Sequence, residues 1–238
     1  VYYFYAALQL GCPEKKISFS VPTGNFGNIL AGWIAQKMGL PIDRLICGSN
    51  HNDILTRFFH TGKMERKHVI PSLSPSMDIQ VSSNFERLLY EILQRDTNKL
   101  NIFMNRFTKD NYYELDEDYI DNLKKVFLAF KVSDLDIIKT IKNIFNSNKY
   151  IIDPHTAVAI ASAHLAQNNL NISSQNSIIV SLGCAHPAKF PKTIHESLNF
   201  YPDNPKSLEK LMNCKEKYEV IDNNPDILKN YILTKMRN

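Results

Sequence analysis

Residues 20–28, SVPTGNFGN, combine the types that hold an anion without a charged side chain. An apolar strand-like run ends at Val21, glycines follow at 24 and 27, and an apolar helix-like run begins near Ile29. Backbone N–H groups at such a loop and helix start have no intrahelical partner and lie at the positive end of the helix dipole, so the segment reads as a phosphate cradle. Gly24 and Gly27 let the backbone approach closely, while Thr23, Asn25 and Asn28 add side-chain donors. The loop lacks both the G-K-[ST] ending of a triphosphate loop and the G-x-G-x-x-G of a dinucleotide loop. A plain β–α turn fits the same residues. A G-x-x-G clamp for nucleic acid would want basic surroundings that are missing here.

Three further segments carry polar residues at the ends of strand-like runs or at helix starts. Residues 181–190, SLGCAHPAKF, place Cys184 just beyond a strand that stops at Gly183. In open α/β sheets, ligands lie outside the carboxyl ends of strands, so Cys184 and the 24–28 loop would face one crevice; a small buried hydrophobe is the other reading of this cysteine. Residues 48–53, GSNHND, end a second strand, with Asn52 and Asp53 read as caps of a helix over 54–59 and His51 left open. Residues 74–87, SPSMDIQVSSNFER, put Arg87 one turn into a helix near Asn84, a seat for a second anion or an ordinary surface arginine. His155, in DPHTAVA, sits in the first turn of a helix and reads either as structural or as functional.

The elements that must position these residues alternate. Residues 1–10 and 29–38 read as helices, 17–21 and 45–48 as short strands, with Gly39 and Pro41 as helix stops. Such short connections predict an α/β layer with parallel strands. Ser83 with Glu86 predicts a capping box opening a helix over 84–95, and Ser133 with Asp136 a looser one for 134–145. Helical periodicity over 115–130 makes 97–149 read as an all-helical insertion outside the sheet. The α/β signature then returns: Asp153-Pro154 opens a helix over 154–167, and residues 177–182 form a buried strand. Three short helices follow from Lys192. The expected organisation is 1–96 with 150–198 as one α/β domain, 97–149 as insertion and 199–238 as a helical tail.

Composition narrows the function classes. The chain has 238 residues, 44% hydrophobic and 22% charged, which excludes disorder and disulfide-dense scaffolds. A net charge of +4, from 28 Lys and Arg against 24 Asp and Glu, is too mild to argue for nucleic acid. Four widely spaced cysteines form no metal or disulfide pattern and suit a reducing cytoplasm. No apolar run approaches the ~20 residues of a membrane span, and the opening VYYFYAALQL resembles no signal peptide. An apolar opening without Met suggests an excerpt from a longer chain.

In this order and spacing, SVPTGNFGN, NHNDILTRFFHTG, SPSMDIQVSSNFERLL, DPHTAVA and SLGCAHPAKFP resemble the C-terminal half of threonine synthases of the bacterial and fungal type, across most of residues 18–193. The resemblance implies a tryptophan-synthase-β-like fold (fold type II) dependent on pyridoxal 5′-phosphate. It implies conversion of O-phospho-L-homoserine and water to L-threonine and phosphate, by an intact enzyme that is a monomer. Gly24, Asn25, Phe26, Gly27 and Asn28 would hold the cofactor's phosphate, and Cys184 would face its pyridine nitrogen. Asn84, Arg87 and His155 would bind substrate. The family has Thr where this chain has Cys184, a weaker donor and acceptor that resembles the residue some amino-acid deaminases use. The family's Schiff-base lysine, in an F-K-D motif before the phosphate loop, has no counterpart among residues 1–17. That places the chief proton shuttle upstream and makes this chain by itself inactive. A phospho-lyase and a non-catalytic phosphate-binding pseudoenzyme are the alternatives.

Overall fold

The computed structural model describes residues 1–169, 178–212 and 214–236. Val1–Pro202 form one compact unit and Asp203–Asn238 another. The first is built on a four-stranded, all-parallel sheet of β1 (Ile17–Pro22), β2 (Ile42–Ser49), β5 (Phe127–Lys131) and β6 (Ile178–Ser181), in the order β5-β2-β1-β6. Every residue of β1 is buried, as expected of a strand covered on both faces. Ser20 of β1 is in register with Ile46 of β2 and Ser181 of β6, so the carboxyl ends of the three strands come out side by side.

Helices α1 (Tyr2–Gln9), α2 (Gly27–Lys37) and α3 (Ile54–Thr61) precede or follow the strands much as their periodicity predicts. Helix α8 (Pro154–Asn169) crosses beneath β1 and β2. It lies close: Ser20 Oγ donates to the Ala159 carbonyl at 2.6 Å, and a Cβ at Gly48 would fall 2.6 Å from Ser162 Oγ. Only glycine permits that approach of helix to sheet. Strand β6 occupies the predicted place but is half-buried rather than buried, and Ser177 lies outside the described residues.

Residues 97–149 depart from the expectation of an all-helical insertion. Helices α5 (Thr97–Asp110), α6 (Glu117–Lys124) and α7 (Asp134–Asn148) are present. Between them, however, β4 (Tyr112–Glu114) pairs antiparallel with β3 (Lys63–Glu65), and β5 joins the main sheet beside β2. Phe127 and Ala129 of β5 are buried while Leu128 and Phe130 are partly covered, a period-2 pattern too short to stand out from helical periodicity. The segment is therefore part of the sheet.

The two predicted capping boxes fare differently. Ser133 and Asp136 form theirs at the start of α7. Helix α4 (Phe85–Ile92) has no side-chain cap, because Ser83 Oγ turns to Asn25 Oδ1 at 3.3 Å. Three helices follow from residue 190, as read: α9 (Pro191–Leu198) in the first unit, then α10 (Lys206–Met212) and α11 (Pro225–Met236) in the second. Within the second unit, Lys235 pairs with Glu219 at 2.8 Å.

Candidate functional site

The loop between β1 and α2 is shaped by one aromatic anchor. Phe26 is buried to 1% exposure and packs on Phe85, Phe127 and Phe59, with ring centroids at 5.1, 5.8 and 6.2 Å. Driving that ring into the core holds Phe26 in the left-handed region, φ 64°, which non-glycine residues adopt seldom and often at functional turns. Its neighbours Asn25, Gly27 and Asn28 are exposed. Among the described residues, the N–H groups of Gly24 to Asn28 donate to no protein acceptor. A row of free amides at the start of an 11-residue helix is an anion-binding arrangement. Of the five residues read as a phosphate cradle, Phe26 contributes only its amide, because its side chain belongs to the core.

A strap formed by residues 74–84 closes over this loop. Ser82 Oγ donates to the Gly24 carbonyl at 2.8 Å, and the Asn84 amide and Nδ2 both donate to the Asn25 carbonyl, at 3.0 and 2.9 Å. A Cβ on Gly24 would meet the Ser76 carbonyl oxygen at 3.2 Å and Met77 Cα at 3.3 Å. The strap is pinned in turn to the end of β2. Asp78 accepts from Asn50 and Asn52 Nδ2 at 2.8 and 3.0 Å and from Ser72 Oγ at 2.6 Å. Asn52 therefore holds the strap, and also bonds Ile70 through both its side-chain atoms, rather than capping α3. Asp53 stands at the cap position without a capping bond, its carboxylate turned to Arg57 at 3.0 Å and Lys131 at 3.2 Å.

Cys184 emerges next door. The Leu182 amide donates to the Ser20 carbonyl at 2.9 Å, so the turn after β6 begins beside the end of β1. The Tyr3 hydroxyl meets the far end of the loop. It donates to the Asn28 carbonyl at 2.9 Å and lies 3.1 Å from Asn28 Oδ1, and its pKa is raised, first by burial and then by Cys184. Cys184 is exposed, yet desolvation and then the Asp153 carboxylate push its thiol up to about 11, so the sulfur carries its proton at neutral pH.

Asp153 and His155 are tied into this frame from below. His155 is 4% exposed. Its Nδ1 lies 3.0 Å from Asp153 Oδ1, and its Nε2 accepts from the Ser76 amide at 3.2 Å. Both ring nitrogens are engaged and the ring is buried, so in this chain His155 supports the strap. Burial acts to raise the Asp153 pKa, but hydrogen bonds from His155 and Thr156 outweigh it and hold the carboxyl below its ordinary value.

Asn84 is brought to the loop as a holder of Asn25. Arg87 is exposed one turn further along the same helix, and its guanidinium makes no hydrogen bond or ion pair among the described residues. It lines a groove of about 750 Å³ with Leu30, Trp33, Lys37 and Tyr90, to which none of residues 24–28 contributes. His51 pairs with Asp134 at 3.7 Å. Among the described residues no group of His, Cys, Asp and Glu could hold a metal ion, and no helix is long and apolar enough to cross a membrane. Sequence reasoning missed Tyr3, whose role rests on one hydroxyl inside an apolar run. It read Asp153 only as a cap.

Known proteins resemble this chain along nearly all of its length. Residues 156–232 match the family model "Threonine synthase, C-terminal". The chain is 39% identical over 224 residues to a threonine synthase of Pseudomonas aeruginosa, covering 94% of this chain and 47% of that protein, and 38% identical to that of Saccharomyces cerevisiae, covering 99% and 51%. The solved structure of a PLP-bound threonine synthase from Brucella melitensis superposes with a TM-score of 0.87 at 36% identity, covering all of this chain and 50% of that one. Yeast threonine synthase gives a TM-score of 0.86 at 35% identity, covering 99% and 51%. A fungal L-serine ammonia-lyase from Rhizomucor miehei, at 10% identity and a TM-score of 0.51, shares the fold alone. The chain spans about half the length of the curated relatives it matches. On these matches the chain belongs to the threonine synthase family and corresponds to the C-terminal half of its members.

Proposed function

We propose that this chain is the cofactor-phosphate-binding half of a threonine synthase that uses pyridoxal 5′-phosphate to convert O-phospho-L-homoserine and water to L-threonine and phosphate. The observation that carries the reading is the row of unpartnered amides from Gly24 to Asn28 beside the Cys184 turn, at the carboxyl ends of neighbouring parallel strands. The donor set fits the group. Neutral amides at a helix start suit a phosphate, and a protonated thiol suits an unprotonated ring nitrogen as a weak donor.

When bound, the cofactor supplies an electron sink for the carbanions of the elimination and hydration steps. This chain's part is placement. The 24–28 amides bind the phosphate end, Cys184 sets the ring end, and the strap seals the loop from above. The free, exposed guanidinium of Arg87 supports a role in holding the substrate's phosphate. The lysine that moves protons in this family would come from residues outside this chain, which supports inactivity of the chain by itself. The wide spacing of the cysteines favours a reducing compartment, the cytoplasm, and a monomeric intact enzyme follows from the family likeness.

The full-length gene product, given pyridoxal 5′-phosphate and O-phospho-L-homoserine, is expected to release phosphate and threonine in equal amounts. Phosphate released with 2-oxobutyrate would instead make it a phospho-lyase, a second reading that Cys184 favours. Under that second reading Cys184→Thr shifts the product ratio toward threonine, and an unchanged ratio removes its support. Absence of any cofactor binding would leave the pseudoenzyme.

A further inference from the structure

Asp153 bonds toward two loops at once. Its Oδ1 accepts from the His155 amide at 2.9 Å and contacts His155 Nδ1 at 3.0 Å, while His155 Nε2 accepts from the Ser76 amide at 3.2 Å. Nε2 being an acceptor makes Nδ1 the protonated nitrogen, so the imidazole is neutral and donates to the carboxylate. Ser76 is the residue whose carbonyl oxygen closes on Gly24. The other oxygen, Oδ2, accepts from the Thr156 hydroxyl and from the Ala185 amide at 3.3 Å, and Thr156 Oγ1 accepts from the Cys184 amide at 3.2 Å. One carboxylate, 1% exposed, thus holds the strap over the phosphate loop with one oxygen and the Cys184 turn with the other.

We propose that Asp153, His155 and Thr156 are positioning residues that set the spacing between the Gly24–Asn28 loop and Cys184, His155 governing the phosphate end and Thr156 the ring end. This rests on the cofactor reading above. The two side-chain arms leave Asp153 from different oxygens, and each ends on a backbone amide, that of Ser76 on one side and that of Cys184 on the other. All the donors run one way along each arm, toward the carboxylate, so an apolar isostere at His155 or Thr156 takes a donor from the buried Asp153.

The test uses the full-length gene product and two ligands, pyridoxal 5′-phosphate and pyridoxal, which lacks the phosphate. His155→Phe is expected to weaken pyridoxal 5′-phosphate at least tenfold and leave pyridoxal within twofold. His155→Gln, whose side-chain oxygen reaches the Nε2 position, is expected to restore most of that loss. Thr156→Val is expected to weaken both ligands by similar factors, and Thr156→Ser to restore them. Equal losses for both ligands in His155→Phe, or no loss in either variant, would overturn the proposal. Amide hydrogen exchange on the unsubstituted protein without ligand gives a reading that needs neither a foldable variant nor a bound cofactor. The amides of Ser76, Cys184 and Ala185 should exchange at least a hundredfold more slowly than that of exposed Asn25; exchange at the Asn25 rate overturns the proposal. If the unsubstituted protein binds neither ligand, the cofactor reading fails, and exchange still decides whether Asp153 holds the two loops.

Discussion

Cys184 sits at a solvent-exposed strand end, yet desolvation and the Asp153 carboxylate raise its thiol to about 11. Alkylation requires the thiolate, so in a Cys214→Ser background the iodoacetamide rate at Cys184 should climb until about pH 11; a plateau near pH 8.5 would contradict the geometry. Cys47, wholly buried with its thiol pushed up to about 12, should not react in the folded protein. The two loop glycines differ just as sharply. A Cβ at Gly24 meets backbone, the Ser76 carbonyl oxygen and Met77 Cα, at 3.2–3.3 Å, whereas one at Gly27 meets only the Asn84 side chain at 3.3 Å. Gly24→Ala should therefore destabilise by about 1–3 kcal/mol, the usual overpacking range, and Gly27→Ala by clearly less. Thermal melts of the two full-length variants decide it, Gly24→Ala being expected to melt clearly lower than Gly27→Ala.

Among the elements, the start of α8 is where charge and burial meet. The Asp153 carboxyl is held below its ordinary pKa, so its hydrogen bonds add stability above the unfolded value of about 3.9 and lose it as pH falls through the folded value. The gap in melting temperature between the unsubstituted protein and Asp153→Asn should stay constant from pH 6 to 8 and close below about pH 4. A gap that widens on acidification would contradict this. The same element shows what sequence reading can and cannot reach. Asp153-Pro154 announces a helix start because an N-cap followed by proline is a local signal, and β1, the glycine loop and α2 are legible for the same reason. Strand β5 is not, because five residues carry too little periodicity and their burial is set by β2 alongside. Nor is the fate of Ser83, whose hydroxyl is drawn from its own helix to Asn25, 58 residues away. Nor are the partners of His155, since its Nε2 meets the Ser76 amide 79 residues away.

At the scale of the whole molecule, the chain leaves apolar surface that a finished globule would cover. Val1, Tyr5 and Met38 are 99, 67 and 70% exposed, around a groove of about 480 Å³ between α1 and α2. Among the described residues β6 pairs only with β1, leaving its other edge open, and its four residues are half-buried. Such edges and patches drive association. Produced alone, the chain should aggregate or melt without a sharp transition, and co-expression with the half that its relatives possess should render it soluble. A monomer with a sharp cooperative melt when produced alone would contradict this. The most direct test of the central assignment is a crystal structure of the full-length gene product with pyridoxal 5′-phosphate bound. The phosphate oxygens are expected within hydrogen-bond reach, about 2.7–3.2 Å, of amides between Gly24 and Asn28, with Cys184 Sγ beside the ring nitrogen. A phosphate seated elsewhere, or Cys184 turned away from the ring, would contradict it.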